Sequence, residues 1–95
     1  MNPKIEEIVT LMFAPGDRAA AISLLKTRCG STLPMMSHAT EDSFDRIRIA
    51  TLRLSRGSLV ALEREIEGAH CDWRDTLVSA GFAHDVSAHL HWLPS

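Results

Sequence analysis

The chain has 95 residues, of which 45% are hydrophobic, and ten Lys and Arg against twelve Asp and Glu give a formal net charge of −2. This balance argues against a nucleic-acid binder and a polybasic membrane-surface protein, because both classes depend on excess positive charge. No apolar run approaches the roughly 18 residues that span a bilayer, so we expect no membrane insertion. The length predicts a single domain over residues 1–95.

The two cysteines, Cys29 and Cys71, bear on the compartment. A secreted domain of this size would normally carry a denser, paired set, so we expect reduced thiols and a cytoplasmic location. Glu6 and Glu7 support this expectation, because they stand where a signal peptide needs apolar residues.

Helical spacing of apolar residues begins at the N-terminus. Asn2 as N-cap and Pro3 at the first helical position predict a helix that ends near Phe13. Asp17 is expected to cap a second, alanine-rich helix, and Gly30 is expected to end that helix with a left-handed backbone.

The third predicted helix follows a loop over residues 30–40 and runs from a Thr40 cap to about Ser55. It is apolar on two sides, since Ile49 and Leu52 lie away from its main apolar stripe. Such a helix is usually central in a bundle or covered on one side by a partner chain. Together with the amphipathic first helix, this surplus of apolar surface predicts a homodimer.

Glycine and aspartate signals divide the C-terminal half. A fourth helix is predicted to end at Gly68, and Asp72 is expected to cap a fifth. Gly81 should end the fifth helix with a positive φ, so that Phe82 folds back onto it.

A short last helix is predicted over about residues 85–92, with Val86 and Leu90 facing the core. No segment sustains the alternation of a half-buried strand. The sequence therefore predicts an all-α fold, a compact bundle of five to six short helices without significant β-sheet. The predicted core consists of Ile5, Ile8, Met12, Ile22, Leu25, Phe44, Ile47, Leu54, Leu62, Ile66, Trp73, Leu77 and Leu90.

Residues 72–82 read DWRDTLVSAGF, and Trp92, Leu93 and Pro94 follow downstream. This segment resembles a group of small uncharacterised bacterial proteins, and the similarity extends over the region from Asp45 to Pro94. The group has no assigned activity, so the resemblance implies no functional residues.

Histidines are enriched in the last part of the chain, which suggests a metal site. Asp85 and His89, spaced i and i+4, would share one face of a helix; His84 precedes that helix and His70 could supply a further ligand. Imidazole and carboxylate are zinc ligands. The alternative is an Asp85–His89 helix pair among solvated histidines, and the lack of Cys-x-x-Cys and His-Glu-x-x-His motifs favours it. We therefore expect no cofactor, with a transition metal such as zinc as the rival.

Arginines gather around the third helix. Arg46 and Arg53, seven residues apart, share one face, and Arg56 lies near it. With Arg48 they form a group that could bind a phosphate or an acidic segment of a partner. The alternative is that they pair with carboxylates of the same and the next helix, which the overall charge balance favours.

No catalytic motif is recognisable, since no serine stands in a Gly-x-Ser-x-Gly elbow and Cys29 has the spacing of a small core residue. A helix-turn-helix is disfavoured because Asp72 and Asp75 would meet DNA phosphates. The sequence favours a small cytosolic, non-enzymatic protein-interaction module that acts as a homodimer. The alternative is a metal-binding protein that uses the C-terminal His/Asp/Cys cluster.

Overall fold

The computed structural model describes residues 1–36 and 38–94, which contain α-helices and short 3₁₀ turns but no β-strand. The helices are α1 (Pro3–Met12), α2 (Arg18–Arg28), α3 (Glu41–Ser55) and α4 (Leu59–Ala80), and 3₁₀ turns cover Pro15–Asp17 and Ala88–His91. The predicted all-α class is confirmed, whereas a count of five to six helices is too high. Ser37, in the predicted loop, and Ser95 lie outside the described residues.

Local capping signals set the starts of two helices. The side chain of Asn2 accepts the Lys4 amide at 2.9 Å, and Thr40 Oγ1 accepts the Ser43 amide at 3.2 Å. Each bond satisfies an amide that the first helical turn leaves open. Asp17, predicted to cap α2, makes no such bond. Its own backbone is already close to helical, with φ −101° and ψ −11°, whereas an N-cap side chain requires an extended residue.

The end of α2 also differs from the prediction, because Gly30 does not have a positive φ. Arg48 Nε donates instead to the carbonyl oxygens of Leu25 and Cys29, at 3.2 and 2.8 Å. A side chain from α3 thus satisfies the last carbonyls of α2, and no left-handed glycine is needed.

Helix α3 is the central element, packed against α1, α4 and the Ala88–His91 turn. Ile49 and Leu52, on its second apolar side, are fully buried, and Val9 of α1 is buried as well. Both apolar sides of α3 are therefore covered within one chain, and neither offers a surface to a partner. Every residue of the predicted core except Leu90 is buried or packs partly buried against the core.

Helix α4 joins the predicted fourth and fifth helices. It continues through Gly68, because Ile66 and Ala69 are fully buried and their packing offsets the roughly 1 kcal/mol that a mid-helix glycine costs. The backbone of Asp72 is non-helical, with φ −159° and ψ 93°, and kinks the helix. Asp72 Oδ1 accepts the Arg74 amide at 3.1 Å, which is the predicted cap at that position.

The predicted end of this helix is confirmed. Gly81 has a φ of 81°, and the Phe82 amide donates to the Leu77 carbonyl at 2.9 Å. Phe82 is buried, as the folded-back conformation requires.

The last predicted helix is replaced by the Ala88–His91 turn, which places His89 inward and leaves Val86 and Leu90 exposed. The inward positions predicted for Val86 and Leu90 are therefore wrong. Side chains of α1 and α3 donate to backbone carbonyls of this region, Lys4 to Leu90 and Arg46 to Phe82 and Asp85. None of the described helices combines the length and the apolar composition that crossing a bilayer would take.

Candidate functional site

Residues 82–94, here called the C-terminal segment, follow α4 and pack against α3. Phe82 is buried and Trp92 half-buried, with their ring centroids 6.4 Å apart and their planes at 60°. The segment has no regular helix beyond the Ala88–His91 turn, so its position depends on side chains of other elements.

Two arginines of α3 hold this segment. Arg46 Nη2 donates to the carbonyl oxygens of Phe82, at 2.6 Å, and of Asp85, at 3.5 Å. The guanidinium of Arg53 lies 5.4 Å from the ring centre of Phe82 and 5.6 Å from that of Trp92, within cation–π distance of both. A third attachment comes from α1, where the Lys4 ammonium donates to the Leu90 carbonyl.

These contacts account for two of the three arginines predicted to bind an anion or a partner. Arg46 and Arg53 direct their guanidinium groups to the chain's own carbonyls and rings. Arg56 is exposed and ends α3 with a left-handed backbone at φ 52°. The three do not converge on a common site.

Arg48, the fourth member of the predicted group, is buried with Asp45, to which its Nη1 donates at 2.9 Å. The same nitrogen donates to Glu41 at 2.5 Å, and this hydrogen bond is the main cause that lowers the pKa of the Glu41 carboxyl. The Asn2 amide donates to the other oxygen of Asp45 at 3.0 Å. The Arg48–Asp45 pair agrees with the favoured expectation that arginines of this group pair with carboxylates of the same helix. Glu41 and the Asn2 amide were not predicted as partners, although the i, i+4, i+7 spacing of Glu41, Asp45 and Arg48 could have signalled Glu41.

His89 is the most unusual titratable group of the segment. Its side chain is 0% exposed, and neither ring nitrogen has a hydrogen-bond partner among the described residues. The nearest carboxylate is that of Asp42, whose Oδ1 lies 3.6 Å from Nε2. Burial lowers the pKa of His89 below its ordinary value, and the Asp42 carboxylate opposes this effect.

The four residues predicted to bind a metal do not converge on a common site among the described residues. His70 Nε2 donates to the Arg28 carbonyl at 2.5 Å, on the α2 side of the molecule. Asp85 is exposed and accepts the Ser87 amide and hydroxyl, both at 2.8 Å, and these bonds lower the pKa of its carboxyl. His84 is also exposed, whereas His89 is buried against α3. Within the part of the chain that the structure describes, no three His, Cys, Asp or Glu side chains are placed to share a metal ion.

The outer side of the C-terminal segment is apolar. Val86 is 73% exposed, Leu93 47% and Leu90 39%. Asp85 is the only residue between 82 and 94 that carries a full charge at neutral pH. Residues 1–36 and 38–94 enclose no pocket that could hold a small molecule.

Comparison of the chain with models of protein families, with curated protein sequences and with solved structures gave no match.

Proposed function

We propose that this protein is a helical protein-interaction module that forms a homodimer through the outer side of its C-terminal segment. The observation that carries the proposal is the exposure of Val86, Leu90 and Leu93 on one short segment. Aliphatic side chains gain free energy when they leave water, at roughly 25 cal/mol for each Å² buried. The C-terminal segment thus groups three exposed aliphatic side chains, whereas α1 exposes Leu11 and α3 buries both of its apolar sides.

The attachment of the segment to α3 favours binding. Arg46 and Lys4 hold its carbonyls, and Arg53 holds its aromatic rings. A surface already held in one conformation loses little conformational entropy when a partner arrives, so more of the burial energy appears as affinity.

A second copy of the chain is the occupant that the charges favour. In a two-fold interface each patch faces its own copy, so like charges oppose each other. Asp85 is the single full charge of the segment at neutral pH, and its carboxylate already accepts two hydrogen bonds from Ser87. Two such patches meet with little repulsion.

Sedimentation equilibrium between micromolar and millimolar protein tests the proposal. We expect a monomer–dimer equilibrium that Val86→Ser weakens about a hundredfold, because roughly 1.5 kcal/mol of valine burial is lost twice in a symmetric interface. Leu93→Ser should act in the same direction. Val60→Ser is the matched control, since Val60 on α4 is 70% exposed, close to the 73% of Val86, and should leave the dissociation constant unchanged.

A monomer over the whole concentration range would contradict the proposal. An equal effect of Val60→Ser and Val86→Ser would also contradict it, because association would then follow general surface hydrophobicity and not this segment.

A further inference from the structure

His89 and Arg46 leave polar atoms buried without partners where the C-terminal segment meets α3. Both ring nitrogens of His89 and Nε of Arg46 lack a hydrogen-bond partner among the described residues. A buried polar group of this kind costs free energy, and for a histidine the cost rises further when the ring takes up a proton. The contact between the segment and α3 is therefore sensitive to the charge of one imidazole.

We propose that protonation of His89 releases the C-terminal segment beyond Phe82 from α3, so that this stretch is a strap that opens in mild acid. This goes beyond the proposed dimer and does not depend on it, because the groups involved all belong to one chain. The strap consists of residues after Phe82, since the amide of Phe82 is tied to α4 through the Leu77 carbonyl.

The carboxylates that face His89 come from α3 and offer limited compensation for an imidazolium. Asp42 is 3.6 Å from Nε2, but its side chain is 67% exposed and therefore well screened by water. Asp45 is already occupied, with Oδ1 accepting from Arg48 and Oδ2 from the Asn2 amide.

The guanidinium of Arg46 acts against the protonation of His89. Arg46 of α3 is bound to carbonyls on the same segment, and on α1 the Lys4 ammonium is bound to the carbonyl of Leu90, the residue after His89. The remaining ionisable groups of the segment, His84, Asp85 and His91, are exposed to solvent. An imidazolium at position 89 would thus be buried, near a guanidinium and only partly matched by Asp42.

The direction of the pH effect follows from the two states of His89. Released into water, the ring has its ordinary pKa of about 6.5, whereas burial lowers the pKa in the attached state. The released state therefore binds more protons below pH 6.5, and attachment weakens as the pH falls. Well above pH 6.5 the ring is neutral in both states and the strap stays closed.

Trp92 reports the opening. A Trp73→Phe variant leaves Trp92 as the only tryptophan, and its emission can be followed from pH 8 to 4.5 at submicromolar protein, with far-ultraviolet circular dichroism as a check on the helices. We expect the emission to shift to longer wavelength below pH 6.5 while the helical signal is retained. In this background His89→Leu, which keeps an apolar group at the buried position, should abolish the shift, and His91→Gln, at an exposed position, should retain it.

Asp42→Asn provides a second variant that does not alter the buried ring. Without this carboxylate an attached imidazolium loses its nearest compensating charge, so the transition should move to higher pH. A shift that persists in His89→Leu, that disappears in His91→Gln, or that is absent from the single-tryptophan protein would overturn the proposal. If His89→Leu does not fold, an Asp42→Asn midpoint that stays fixed or falls would do so.

Low protein concentration separates this test from that of the dimer. A monomer in sedimentation equilibrium would remove the proposed function and leave the strap intact, whereas a missing pH transition would remove the strap alone.

Discussion

Gly57, in the turn between α3 and α4, is packed against the end of α1, and replacing it with alanine tests this contact. Its φ is 83°, and a Cβ built there would lie 2.5 Å from the carbonyl oxygen of Met12 and 3.3 Å from the carbonyl carbon. Both atoms belong to the backbone of the last residue of α1, so they cannot move aside as a side chain would. The turn and the helix would have to separate.

Two costs combine in Gly57→Ala. The left-handed backbone costs an alanine roughly 1 kcal/mol relative to glycine. Separating the turn from α1 adds about 1–3 kcal/mol, the usual range for forcing an extra methyl group into a packed site. We therefore expect the free energy of unfolding to fall by about 2–4 kcal/mol.

Two other glycines separate these costs. Gly81 also has a positive φ of 81°, but the atom nearest to its added Cβ is Nη1 of Arg53, at 3.8 Å, so Gly81→Ala should cost only about 1 kcal/mol. A Cβ built at Gly68, inside α4, would meet no atom of another part of the chain within 4 Å, so Gly68→Ala should stabilise by roughly 0.5–1 kcal/mol.

Urea denaturation followed by circular dichroism measures all three variants. We expect Gly57→Ala to lower the free energy of unfolding most, Gly81→Ala to lower it less, and Gly68→Ala not to lower it. A loss at Gly57 no larger than that at Gly81 would show that the Met12 carbonyl does not restrict the turn.

Two further predictions concern buried polar groups. Arg48→Ala should lower the free energy of unfolding by about 3–5 kcal/mol in the same assay, because it leaves the buried Asp45 carboxylate without its cationic partner. Arg64→Ala, at an exposed position, should change it by less than about 0.5 kcal/mol. Similar losses in the two variants would refute the role of Arg48. Titration of the native protein with a thiol reagent should detect Cys71 alone. Burial raises the pKa of the Cys29 thiol to about 12 and also shields the sulfur from the reagent. Two thiols that both react rapidly would be inconsistent with this structure.

Local signals predicted the helices well where a few neighbouring residues decide the outcome. The caps at Asn2, Thr40 and Asp72 each use a bond to an amide two or three residues away, and Gly81 ends its helix through bonds within five residues. Helical periodicity likewise chose residues that are buried or pack against the core, with Leu90 as the exception, although it left out other core residues such as Phe13, Leu33 and Ile49. These features depend on short stretches of sequence, which is why they can be predicted from it.

The errors lie where side chains distant in sequence satisfy the backbone. Arg48 replaces the left-handed stop expected at Gly30, and Arg46 and Lys4 bind carbonyls of Phe82 and Leu90 in the region where a last helix was predicted. Periodicity assigns arginines to solvent, and it cannot indicate that a guanidinium will cap another element. The predicted metal ligands failed to gather for a related reason, since His70 belongs to a helix packed on α2 and His89 to a turn packed on α3.

The dimer and the strap use opposite sides of the C-terminal segment. The dimer therefore depends on attachment of the segment to α3, whereas the strap does not depend on the dimer. The inner side carries His89 and the rings that contact Arg53, while the outer side carries Val86 and Leu93. A preformed dimer surface requires the inner side to be attached, because a freed segment would have to be ordered again before two copies could pair. The strap requires no dimer, since every group that senses the proton lies within one chain. Attachment to α3 is therefore the more fundamental property, and self-association through the outer side depends on it.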